Sequence, residues 1–74
     1  MNNYQIIRQH TPTRSSIVGV KVATSEEDAL KKYAADVMQT NPTVRTGNVK
    51  KTAGVWRLVL STDSQHRFYL VKKV

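Results

Sequence analysis

His10 and His66 are the only imidazoles in the chain, and His66 closes the stretch Ser61-Thr62-Asp63-Ser64-Gln65-His66. A hydroxyl, a carboxylate and an imidazole this close could supply a nucleophile, an orienting acid and a base. They would have to converge on a pocket that also offers an oxyanion donor. The same residues are turn formers, whose short polar side chains bond their own backbone. A hairpin tip provides no pocket, so the turn reading is preferred, no catalytic residue is assigned and the chain is not expected to be an enzyme. Two His without any Cys cannot close a zinc site unaided, and no pair has helical or zinc-finger spacing, so no metal is expected. Gly47-Asn48-Val49-Lys50-Lys51-Thr52 has a glycine and a lysine of a phosphate loop. It lacks the motif's second glycine and does not lead from a strand into a helix, so no nucleotide cofactor is expected.

The stronger signal is cationic. Twelve Lys+Arg stand against five Asp+Glu, a formal net charge of +7. Such a balance favours polyanionic partners: nucleic acid, acidic protein surfaces or anionic lipid. Three groups of candidate binding residues follow. Arg57, Arg67, Tyr69, Lys73 and Lys21 are expected together on a solvent-facing sheet surface, where Arg beside Tyr could stack on bases or grip an acidic protein patch. Arg45, Lys50 and Lys51 form a second group between the helix and the next strand. His10 and Arg14 form a third at the first turn. The competing reading is an ordinary solvated surface whose edge lysines discourage strand pairing.

The elements that must position these residues are legible from periodicity. Leu30, Tyr33, Ala34, Val37 and Met38 recur with the helical period, one apolar stripe, so an amphipathic helix is expected within Val20–Pro42. Thr24 or Ser25 caps it, with Glu27 or Asp28 three residues on. Glu26, Glu27 and Asp28 complement the helix dipole. Asn41-Pro42 ends the element, because the residue before proline avoids helical dihedrals. The acidic cluster thus has a local structural role. Residues 26–36 hold four of the five carboxylates and two lysines, so the net positive charge lies on the rest of the chain.

Strands are expected at Tyr4–Gln9, Ile17–Val22, the second half of 44–52, Val55–Leu60 and Arg67–Val74. The expectation is an α+β fold in the order β-β-α-β-β-β, an antiparallel sheet of four to five strands with one helix on one face. The expected core comprises Ile6 or Ile7, Val18, Val20, Val22, Leu30, Tyr33, Val37, Met38, Trp56, Leu58, Leu60, Phe68 and Leu70. The second face of such a sheet can stay wet.

Residues 1–74 allow one small domain with a limited core. No apolar run approaches the ~20 residues that span a bilayer. Met1-Asn2-Asn3-Tyr4 lacks the charged and apolar regions of a signal peptide. No disulfide framework is available without Cys. A soluble cytoplasmic protein with no membrane partner is therefore expected.

The stretch Val18-Gly19-Val20-Lys21-Val22-Ala23-Thr24-Ser25-Glu26-Glu27-Asp28-Ala29-Leu30 resembles the strand-to-helix junction of very small phage proteins, among them phage-encoded inhibitors of bacterial RNA polymerase. The resemblance implies a single sheet-plus-one-helix module that binds the enzyme and blocks or redirects initiation, in the cytoplasm of a bacterial host. It covers about a dozen residues and transfers no partner-binding position. Some such inhibitors present acidic surface, and this basic chain departs from them. Three functional expectations result. The first is a non-catalytic module that binds a protein of the gene-expression machinery, bacterial RNA polymerase in the reading the resemblance implies, and occludes its surface. The second is direct DNA or RNA binding through a basic sheet face and turns. The third is an assembly subunit.

Overall fold

In the computed structural model, which describes residues 1–74, the chain runs β1 (Asn2–Thr11), β2 (Arg14–Ala23), α1 (Glu26–Thr40), β3 (Thr46–Thr52), β4 (Val55–Ser61) and β5 (His66–Lys73). The fold is the α+β arrangement expected from the sequence, with five strands in one antiparallel sheet. Strand order is β2-β1-β5-β4-β3. The last strand to leave the N-to-C path therefore lies at the centre, bonded to β1 on one side and β4 on the other. α1 starts from one edge strand and delivers the chain to the opposite edge, so it crosses the sheet and covers one face. It is not long and apolar enough to cross a membrane.

Local chemistry accounts for the turns and the caps. Ser25, one of the two candidate caps, is the residue used: its hydroxyl accepts from the Asp28 backbone N–H at 3.1 Å. The Asp28 carboxylate reaches back one residue further, accepting from the Thr24 N–H at 3.2 Å and the Thr24 hydroxyl at 3.3 Å. Asn41 ends the helix in an extended conformation, as the following Pro42 requires. Ala53 and Gly54, at φ 53° and 79°, make the two-residue turn between β3 and β4. Left-handed dihedrals at both central residues match the twist of the flanking strands. β1 and β2 carry two register shifts, one at Ile6/Ile7, which leaves Val18 unpaired, and one at Gln9/Thr11.

The core lies between α1 and the covered face. It consists of Tyr4, Ile6, Ala23, Ala29, Leu30, Ala34, Val44, Leu58, Leu60 and Tyr69, with Tyr33, Val37, Val49, Trp56 and Val71 packed against it. The expected core is corrected at several positions. Val18, Val20 and Val22 are exposed, as are Phe68 and Met38, and Leu70 is only half-buried on the open face. The alternation in β2 is as expected, but the strand turns its small face inward. Gly19 opposes Ile6 and Lys21 opposes Tyr4, and both Ile6 and Tyr4 are buried under the helix. Tyr33 of the helix packs over this position: a Cβ at Gly19 would lie 3.7 Å from its ring, an ordinary contact. β5 is apolar on both faces, and Tyr69, whose ring centroid is 5.3 Å from that of Tyr33, takes the inward place instead of Phe68.

Candidate binding interface

Side chains opposed across adjacent strands share a face, so register decides which candidate residues meet. Tyr69 pairs with Arg8 and Leu58, and Arg67 with Leu60, all on the helix side. Lys73 and Lys21 both oppose Tyr4, also on that side. Arg57 pairs with Leu70 and Lys50 on the open side. The expected cluster of Arg57, Arg67, Tyr69, Lys73 and Lys21 is therefore split. Tyr69 is only 3% exposed and cannot stack on a ligand. Lys21 is tied to Asp36 on the helix.

The second and third groups also separate. Arg45 is engaged by Asp63 through Nε at 3.1 Å and Nη2 at 3.2 Å, which ties the β4–β5 loop to the approach of β3. Lys51 turns to the helix side, its ammonium 5.7 Å from the Trp56 ring centroid. Lys50 turns to the open side, opposite Arg57. Arg14 is exposed where the β1–β2 turn re-enters the sheet, and His10 bonds Ser16 at 2.8 Å.

What register assembles on the open side is a different surface. Ile17, Ile7, Leu70, Arg57 and Lys50 form one row across all five strands. Ser15, Gln9, Phe68, Val59 and Asn48 form the next row. Val20, Gln5 and Lys72 form a third. The middle of the face is apolar, and much of it is open: Phe68 is 52% exposed and Val20 56%. Its cations, Arg57, Lys50 and Lys72, gather toward β3, β4 and the end of β5. No carboxylate lies on this face, because all five belong to α1 or to the β4–β5 loop.

Sequence reasoning missed Phe68, Val18, Val20 and Val22 as surface residues because apolar alternation marks a face without saying which way it points. The signal available was the inward-compatible small set Gly19 and Ala23, which a helix bearing Tyr33 can approach.

The groups weighed for catalysis are also placed. Ser61 Oγ and His66 Nδ1 are 2.8 Å apart across the ends of β4 and β5. Asp63 is turned to Arg45 and does not orient His66. None of the four surface cavities is lined by Ser61, Asp63 or His66. No three His, Asp or Glu side chains converge as metal ligands.

Two titrating groups are perturbed. Asp28 is held below its ordinary value of 3.8, first by the Thr24 backbone N–H; burial pushes the other way, and Lys32 and the Thr24 hydroxyl add to the lowering. Tyr33 is raised above 10.0, first by burial and then by Tyr69, while the charges of Arg8 and Arg67 oppose the rise.

No protein-family model matches the chain, and neither a curated protein nor a solved structure does so.

Proposed function

We propose that the chain is a non-catalytic binding module that docks a protein partner through the open face of its sheet. The observation that carries this reading is an uncovered apolar surface with cations at one corner and no carboxylate anywhere on it. Contiguous exposed apolar area on a small soluble domain marks an interaction site. The complementary partner presents an apolar patch bordered by Asp or Glu. A second copy does not fit that description, since it would bring another set of unneutralised cations to the same face. The action is occlusion: the face docks and denies that surface to another ligand. The gene-expression machinery is the setting, and bacterial RNA polymerase, the enzyme to which the junction resemblance points, is the first partner to try.

The test is the affinity of wild type, Phe68→Asp and Arg57→Glu for RNA polymerase. Phe68 and Arg57 are exposed, so both variants should fold. Phe68→Asp should abolish binding, because it puts a charge at the centre of the interface. Arg57→Glu should weaken it mainly through slower association. Binding unchanged in both variants would remove the open face from the account.

Direct nucleic-acid binding is the second reading. It is favoured by the exposed Phe68 ring on the central strand, a platform on which a base could stack, with Arg57 and Lys72 available for phosphates. A salt titration separates the two, since phosphate contacts to duplex DNA give a slope of about −0.9 each. Absence of affinity for DNA or RNA at ~50 mM salt eliminates the second reading.

A further inference from the structure

Four of the twelve Lys and Arg side chains are in ion pairs: Lys21, Lys31, Lys32 and Arg45. Of the eight that are not, six are exposed, where water screens them. Arg8 and Arg67 are the exceptions. Both are half-buried, and neither has a hydrogen bond or a carboxylate partner.

They are also neighbours. Arg8 on β1 stands directly opposite Tyr69 on β5, and Arg67 lies two residues before Tyr69 on the same face. Diagonal neighbours across paired strands are within reach of long side chains. Both guanidinium charges act on the same hydroxyl, that of Tyr33 in α1, which packs on Tyr69. Two like charges therefore stand at diagonal positions on the helix side of adjacent strands, flanking Tyr69 and acting on Tyr33. The Nε of Arg67 is buried without an acceptor. Withdrawing a charge from water without a partner is costly, and a like charge beside it adds repulsion. An anion seated between the two relieves both terms.

We infer that Arg8 and Arg67 form a binding site for a phosphate-type oxyanion, free or as the terminus of a phosphomonoester, on the helix side of the sheet. The planar guanidinium fork matches such an oxyanion in two parallel hydrogen bonds. The Arg67 Nε–H, now without an acceptor, supplies one of them once the anion is seated side-on. Two positive charges match the dianionic form of a monoester or of inorganic phosphate. The site lies on the opposite side of the sheet from the docking face and stands or falls without it.

The experiment follows the arginine Nε–H signals of the full chain by NMR. Inorganic phosphate and ribose 5-phosphate are titrated separately, against chloride at matched ionic strength. Saturable shifts of the Arg8 and Arg67 signals, with the Asp63-bound Arg45 signal unmoved, are expected. Preference for inorganic phosphate assigns the free ion, and preference for ribose 5-phosphate assigns the monoester terminus. Arg8→Met and Arg67→Met keep the apolar stems, and each should weaken the anion by at least about tenfold, the loss of a charge-assisted hydrogen bond. Arg45→Gln, which removes a guanidinium already engaged by Asp63, should leave it unchanged. No saturable shift of either wild-type signal with either titrant would overturn the inference, whether or not the Met variants fold. An equal response in Arg8→Met and wild type would overturn it too.

Discussion

Leu58 and Trp56 lie two residues apart on the same face of β4, yet they differ in cover. Leu58 is fully buried beneath α1, whereas Trp56 is half-buried at the margin, with Lys51 over its ring. Leu58→Ala should therefore cost about 2–5 kcal/mol, a large fraction of the roughly 5–15 kcal/mol that holds a small domain together. Trp56→Ala should cost less than Leu58→Ala and leave a folded protein; chemical denaturation of the two variants gives the ordering. The reverse order would place the centre of the core under the indole. The sequence marks both as inward-facing, but alternation alone does not tell the middle of a face from its border. Glycine positions are read the same way. A Cβ at Gly47 would lie 3.1 Å from Leu60 Cδ2 and 3.2 Å from the Ala34 Cβ, so Gly47→Ala requires Leu60 and α1 to give by a few tenths of an ångström, and its denaturation midpoint reads how rigid the helix–sheet contact is. Ala53 is the contrary case. It holds a left-handed φ of 53° that costs a residue with a Cβ about 1 kcal/mol, and Ala53→Gly should raise the denaturation midpoint.

At the scale of elements, α1 was the most legible part of the sequence, because its cap, its apolar stripe and its proline stop agree with one another. Removing the Ser25 hydroxyl in Ser25→Ala should cost about 1 kcal/mol. Asp28 supplies a pH dependence. Its pKa is below the ordinary value of 3.8 in the folded chain, so the stability it contributes is present above that value. That contribution is lost as pH falls from 3.8 through the lower folded value. Asp28→Asn should flatten this acid limb in a series of melts below pH 5 or so, with the region near pH 7 offset by a constant amount. Strand existence and order were equally readable, since each strand is bounded by turn residues such as Thr11-Pro12-Thr13 and Ala53-Gly54. Sheet order was not, because nothing in the local pattern of Arg67–Val74 says that it inserts between β1 and β4. That insertion has a consequence: a chain ending at Gln65 leaves β1 and β4 without their shared neighbour. It should lack the cooperative thermal transition of the full chain.

At the scale of the whole molecule, the carboxylates are gathered on α1 and one loop, as the sequence suggested, but the cations divide between both faces of the sheet. The candidate cluster failed at Arg67, Tyr69, Lys73 and Lys21 for a single reason. A one-residue choice of inward face moves every side chain of a strand together, and both sets of β5 are apolar enough to be core. The same choice, made the other way in β2 and β5, left Val20, Val22 and Phe68 in solvent and created the apolar surface on which the functional reading rests. Incorporating a photoreactive benzoylphenylalanine in place of Phe68, and separately in place of Gln39 on the exposed side of α1, tests that reading most directly. After irradiation in a nuclease-treated bacterial lysate, a discrete protein adduct should form from position 68 and none from position 39. An adduct from position 39 alone, or none from position 68, would contradict it.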